Sequence, residues 1–199
     1  MRTITQTINL FKFEELTEEL QQKVIEKNRD INTDFDWHES IFEYFKEDNE
    51  KYFDIKNIYF TGFWSQGDGA MFEYSGINEN LLNEAIESLN LPKWKKQILS
   101  TQICISGKGV QRGHYYHENS CDHTIYIEDN NNGYYQNIYD LIDLYSSDIE
   151  DFIITKYKDI CQDLYKNLEN EHDYLQSDEV IKETLICNDY DFTEEGDIY

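Results

Sequence analysis

The chain has 199 residues, 39% hydrophobic and 15% aromatic, with 41 Asp and Glu against 17 Lys and Arg for a formal net charge of −24. That length admits a single domain with a real core, and sixteen Tyr and eleven Phe supply buried area despite the low hydropathy. A field of this sign opposes binding to nucleic-acid backbones and anionic membranes, which are polyanions, and favours basic partners.

Cys104, Cys121, Cys161 and Cys187 are widely spaced and contain no CxxC pair, so reduced thiols in a cytoplasmic protein are the expectation. The opening Met1-Arg-Thr-Ile-Thr-Gln lacks the apolar core of a signal peptide. No apolar run reaches the about 20 residues of a membrane span.

In chain order, Thr3 to Lys12 reads as a strand with Ile4, Ile8 and Leu10 on one face. Thr17 is an N-cap followed by Glu18 and Glu19, where a helix dipole favours acids, and Leu16, Leu20 and Val24 mark the apolar face of a helix reaching about Asp30. A second helix is expected over Trp37–Tyr52, with Ile41, Tyr44, Phe45 and Phe53 near its apolar side. Ile58 to Phe72 follows as two aromatic-rich strand runs around Ser65-Gln-Gly-Asp-Gly69, in which Asp68-Gly69 signals a hairpin.

Asn80–Leu89 predicts a short helix, and Pro92 opens another through Leu99. Strands are expected at Gln102–Ser106, near Gln111–His117 and at His123–Glu128, with a turn bracketed by Gly107 and Gly109 and a loop at Asn130–Gly133. From Tyr134 the period lengthens to 3.6. Ile138, Leu141, Ile142, Tyr145, Ile149, Phe152, Ile153, Tyr157, Ile160, Leu164 and Leu168 predict one long helix or two abutting ones, lying on the sheet. Ser177 caps a helix through about Leu185, and the acidic tail Asn188–Tyr199 forms a last strand or hairpin. The expected fold is α+β: a mostly antiparallel sheet packed against helices, with a long C-terminal helical segment. One domain over 1–199 is expected, mixed over 1–133, mainly helical over 134–187 and acidic over 188–199.

Arg112 to Asp122-His123 gathers His114, His117 and His123 with Cys121. Imidazole and thiolate suit zinc and related metals, so a small metal-dependent enzyme centred here is one alternative. If extended, however, His114 and His117 point to opposite faces, which favours a structural role. No nucleophile–base pair stands out, and neither metal nor cofactor is expected.

Between Arg112 and Lys156 there is no Lys or Arg, while Glu118, Asp122, Glu128, Asp129, Asp140, Asp143, Asp148, Glu150 and Asp151 accumulate. The tail adds Glu194, Glu195 and Asp197. These carboxylates, with Trp64 and Asp68 of the central turn, are the candidate partner-binding residues. The competing reading of the acids is a solvated face, and of Asp68 a residue set by turn geometry.

Phe13-Glu-Glu-Leu-Thr-Glu-Glu-Leu20, Phe60-Thr-Gly-Phe-Trp-Ser-Gln-Gly-Asp-Gly-Ala70, Gly113-His-Tyr-Tyr-His-Glu-Asn-Ser120 and Asn188-Asp-Tyr-Asp-Phe-Thr-Glu-Glu-Gly196 together resemble a family of small acidic phage-encoded proteins, some labelled antitoxins. The resemblance implies a phage or prophage origin and residence in the host bacterial cytoplasm. By analogy with acidic phage proteins that disarm host defences, it implies a non-enzymatic anti-CRISPR or antirestriction inhibitor. The partner would be a basic host nucleic-acid-binding protein or nuclease complex, with no direct DNA binding and no membrane. An antitoxin-like neutralising protein is the other alternative.

Overall fold

A computed structural model describes residues 1–3, 7–130 and 136–199, with backbone alone at 136 and 138. The strand expected from Thr3 therefore falls partly, at Ile4, outside the described residues, as do most of the Asn130–Gly133 loop, Tyr134 and the side chain of Ile138. The chain divides into two compact units, residues 1–39 with 169–199, and 40–168.

The first unit holds α1 (Glu18–Lys27) and, beyond the end of a long helix described below, α6 (Asp178–Cys187). Both start where a hydroxyl fills the vacant donors of a first turn: Thr17 Oγ1 accepts from Leu20 N at 3.4 Å, and Ser177 Oγ from Val180 N at 3.5 Å. Phe13, Leu16, Val24, Ile25, Ile181, Leu185 and Phe192 form its core. Residues 7–10 form no strand, yet Phe11 and Phe192 exchange backbone bonds of 2.9 and 2.8 Å, and Phe192 also bridges Ile198. The acidic tail thus folds back as a hairpin-like closure. Buried Asn32 is satisfied by donating to Leu175 O at 3.0 Å and accepting from Thr184 Oγ1 at 2.8 Å.

The second unit is a four-stranded antiparallel sheet in the order β1 (Phe53–Thr61), β2 (Gly69–Ile77), β3 (Ile103–Gln111), β4 (Cys121–Asp129). Helix α2 (Glu39–Asn49) precedes it, and α3 (Glu79–Ser88) and α4 (Lys93–Gln102) connect β2 to β3. Phe53 opens β1 rather than completing α2, and Tyr44 of α2 is exposed. After β4 comes α5 (Gln136–Leu175), an unbroken helix of 40 residues. Its part within this unit buries Ile149, Ile153, Tyr157, Ile160, Cys161, Leu164 and Leu168, a three- and four-residue repeat that makes one stripe. The stripe lies on the sheet. The Tyr157 ring is 4.6 Å from those of Phe72 and His123, 5.9 Å from Tyr74 and 6.1 Å from Phe53. The fold is α+β, as the sequence predicts.

Two expectations fail in β3. Gly107 and Gly109 sit inside the strand, paired with Ile125 and His123 of β4, not in a turn. Glycine serves there for closeness: a Cβ on Gly109 would stand 2.7 Å from Cys121 Sγ and overlap the Tyr74 ring, and one on Gly107 would stand 2.7 Å from Thr124 O. The strand expected near Gln111–His117 ends at Gln111, and residues 112–120 are the connection to β4. Among the described residues no helix is long and apolar enough to cross a membrane.

Candidate functional site

The two motifs that stand out in the sequence are neighbours in space. Residues 62–68 join β1 to β2 and 112–120 join β3 to β4. They touch through glycine: a Cβ at Gly67, whose φ is +94°, would stand 2.7 Å from the Tyr115 ring, and one at Gly69 would stand 2.5 Å from His117 Cβ. The turn itself is fixed by Asp68, whose carboxylate accepts the Ser65 N–H at 2.7 Å while its own N–H bonds Ser65 O at 3.1 Å. The left-handed positions are Gly67 and Trp64, the latter at φ 68. A tryptophan in that region carries backbone strain of about 1–3 kcal/mol, and its side chain is 70% exposed, beside Tyr115 at 59% in the facing loop.

Beneath the loops, Glu73 of β2 is a half-buried carboxylate with three donors: Asn57 Nδ2 at 2.7 Å, Gln111 N at 3.0 Å and Tyr59 Oη at 3.1 Å. The Asn57 bond, then the Gln111 bond, hold Glu73 below its ordinary carboxyl range. The Tyr59 ring stacks on Tyr116 at 5.0 Å and 10°, which fastens the second loop to β1. Glu73, Tyr59 and Tyr116 are absent from the sequence-derived candidates. The one available signal was an acid placed between the strand aromatics Phe72 and Tyr74.

The four residues of the metal alternative go to different surroundings. His114 is exposed, and His117 Nδ1 accepts Asn119 N–H at 3.1 Å. Cys121 is buried and His123 half-buried, with His123 Nδ1 2.9 Å from Tyr74 Oη and 3.8 Å from Cys121 Sγ. Burial, aided by the positive charge of Lys158, lowers the His123 pKa to about 4. Burial raises the Cys121 thiol to about 11. Among the described residues no three of His, Cys, Asp and Glu are placed to share a metal ion.

The candidate carboxylates fall into three settings. Asp122 forms an exposed ion pair with Arg112 at 3.2 Å, and half-buried Glu118 accepts from Asn119 Nδ2 at 3.0 Å. Glu128 is exposed on β4, opposite Cys104 of β3, and Asp129 is half-buried. In α5, Asp140, Asp143, Asp148 and Asp151 are exposed and Glu150 half-buried. At about 100° per residue, Asp140, Asp148 and Asp151 fall on the side away from buried Ile149 and Ile153, while Asp143 and Glu150 stand at the margin of the buried side.

The tail acids belong to the first unit and are engaged there. Lys27 Nζ is 2.6 Å from Asp197, Asn9 Nδ2 donates to Glu194 at 2.8 Å, and Lys12 is 2.9 Å from both Asp189 and Asp191. The Lys27 contact lowers the Asp197 pKa. Glu195 is exposed.

The second unit thus combines an α+β fold with an acidic helix and two interlocked aromatic loops. The chain belongs to the family described as a domain of unknown function (DUF8835), whose model matches residues 37–178, a span that includes the whole sheet and its helices. No curated protein and no solved structure matches the chain.

Proposed function

We propose that this is a phage-encoded, non-enzymatic inhibitor that acts in the host cytoplasm by occupying the basic nucleic-acid-binding surface of a bacterial defence nuclease, in the manner of an anti-CRISPR or antirestriction protein. The observation that supports this reading is the solvent side of α5 from Asp140 to Asp151. Asp140, Asp148 and Asp151 face outward there and Asp143 and Glu150 border that side, four of the five exposed, in a stretch of chain where no Lys or Arg occurs between Arg112 and Lys156.

Magnitudes favour it. Eleven residues of helix rise about 16 Å, so the five acids recur about every 4 Å along the axis. Phosphates on one DNA strand recur about every 3.4 Å. A helix is also a rigid carrier, so Arg and Lys of the target meet charges already in place, which raises the association rate and suppresses wrong partners. Exposed Trp64 and Tyr115 are the aromatic types that add contact area in protein interfaces.

The test is capture of host proteins from a defence-bearing bacterium on the immobilised full chain, washed at about 50 mM and about 500 mM salt, where the screening length falls severalfold. The expected result is a nuclease or its nucleic-acid-binding subunit, released by the high-salt wash, with its nucleic-acid binding blocked by the free protein. Capture of a toxin would support the antitoxin alternative instead. A nuclease retained equally at both salt concentrations would remove the electrostatic mechanism.

A further inference from the structure

Where α5 passes over β4 there is an open groove of about 350 Å³ lined by Ile125 and Ile127 of the strand and Tyr139, Ile142, Asp143, Ser146 and Glu150 of the helix. Ile125 and Ile127 share the strand face of His123, which packs on Tyr157; further along, towards the start of the helix, the same face is only half covered. The groove floor is therefore aliphatic. Its rim is not: Asp143 and Glu150 stand two turns apart on α5, about 10 Å along the axis, and among the described residues no basic side chain lines the groove.

We infer that this groove receives an arginine side chain from a basic segment of the partner protein. The inference rests on the docking reading above and names where on the chain it is carried out. Three properties select this occupant. The volume lies at the small end for ligand pockets, the scale of one long side chain. A long aliphatic stem ending in a cation matches an Ile125–Ile127–Ile142 floor with carboxylates above it, since such stems bury their methylenes while the charge stays at the rim. Tyr139, 52% exposed and lining the groove, is an aromatic of the kind on which a planar guanidinium stacks, and a guanidinium makes paired hydrogen bonds to carboxylates in ways an ammonium does not.

The experiment titrates octa-arginine amide, and separately octa-lysine amide, into the full chain at low salt while following isoleucine methyl resonances. The octa-arginine peptide is expected to shift Ile125, Ile127 and Ile142. The surface double change Asp143→Asn with Glu150→Gln weakens it about fivefold, whereas Glu43→Gln with Glu47→Gln on α2, an equal loss of charge, weakens it less than about twofold. Octa-lysine binds more weakly than octa-arginine. Equal loss in the two double variants, unshifted groove methyls, or equal binding of the two peptides overturns the assignment.

The two readings fail separately. A host nuclease still captured and salt-released by the Asp143→Asn, Glu150→Gln chain retains the docking reading and removes the groove. A chain that captures no basic partner removes the docking reading, while groove-specific octa-arginine binding would stand by itself.

Discussion

Tyr157 of α5 donates its hydroxyl proton to the carbonyl oxygen of Phe72 in β2 at 2.8 Å, inside the layer between helix and sheet. Continuing the Tyr74–Gly109 register by two residues sets Phe72 opposite Gln111, yet the Gln111 N–H goes to Glu73 Oε1. Side chains have taken over backbone groups that a regular ladder would pair with each other. The helix is thereby joined to the sheet by a directed bond within a largely apolar contact.

Replacing Tyr157 by Phe keeps the ring contacts and strands the Phe72 carbonyl in a buried site. The expected loss is about 1–3 kcal/mol of unfolding free energy, read as a lower urea midpoint with an unchanged slope. A midpoint within error of the parent would show that water replaces the hydroxyl.

Glu73→Ala removes the acceptor shared by Asn57, Tyr59 and Gln111. Amide hydrogen exchange is expected to accelerate at Gln111, where the N–H loses its partner, and through residues 112–120, whose Tyr116 stacks on Tyr59. In α3, which follows the end of β2 opposite the loop, protection at buried Ala85 and Ile86 should change only by the global loss of stability. Uniform acceleration throughout the second unit would contradict a local role for Glu73.

The His123 ring gives a pH window with a definite sign. Its folded pKa, about 4, lies below the unfolded value of about 6.5, so between those values the unfolded chain binds the extra proton. Stability is therefore present above pH 6.5 and is lost as pH falls towards 4. The span corresponds to at most about 3 kcal/mol, which solvent access to the half-buried ring reduces to about 1–2 kcal/mol. Urea midpoints measured from pH 7 to pH 4.5 should fall for the parent and stay flatter for His123→Gln, which keeps a polar partner for Tyr74.

Thiol reactivity should divide the four cysteines in pairs. Cys104 and Cys187 are exposed, while Cys121 and Cys161 are buried with their thiols pushed up by burial, which lowers the reactive thiolate fraction. Iodoacetamide at neutral pH is expected to label the first pair within minutes and the second only in denaturant, as read by peptide mass spectrometry. Early labelling of Cys161 would mean that α5 lifts from the sheet in the native state.

How much of this was legible in the sequence depends on range. Helix starts were readable because Thr17 and Ser177 act on donors three residues away, and the α5 stripe because its period is written in successive turns. The β3 glycines misled because a glycine signals either a left-handed backbone or a close approach, and only the second applies: among the described residues the glycines at positive φ are 67, 113 and 196. Which Tyr74 and Cys121 atoms crowd Gly109 is fixed by strand pairing and cannot be read locally. The same holds for the candidate site. Asp140, Asp148 and Asp151 share a helix face by arithmetic alone, but the pairing of Asp189, Asp191 and Asp197 with Lys12 and Lys27 spans nearly the whole chain. Tail acids that looked available to a partner are mostly engaged at home, whereas the contact of the 62–68 and 112–120 loops needed the sheet to bring it about.

The reciprocal bonds of Phe11 and Phe192 have a practical corollary for anyone handling the molecule. A fluorophore attached at the residue just before the first of these and one attached just after the second emerge from a common spot, so moving it from one to the other is no independent control for obstruction. A reporter meant to stand clear of that spot belongs at an internal exposed site, and Cys104 offers one for chemical attachment.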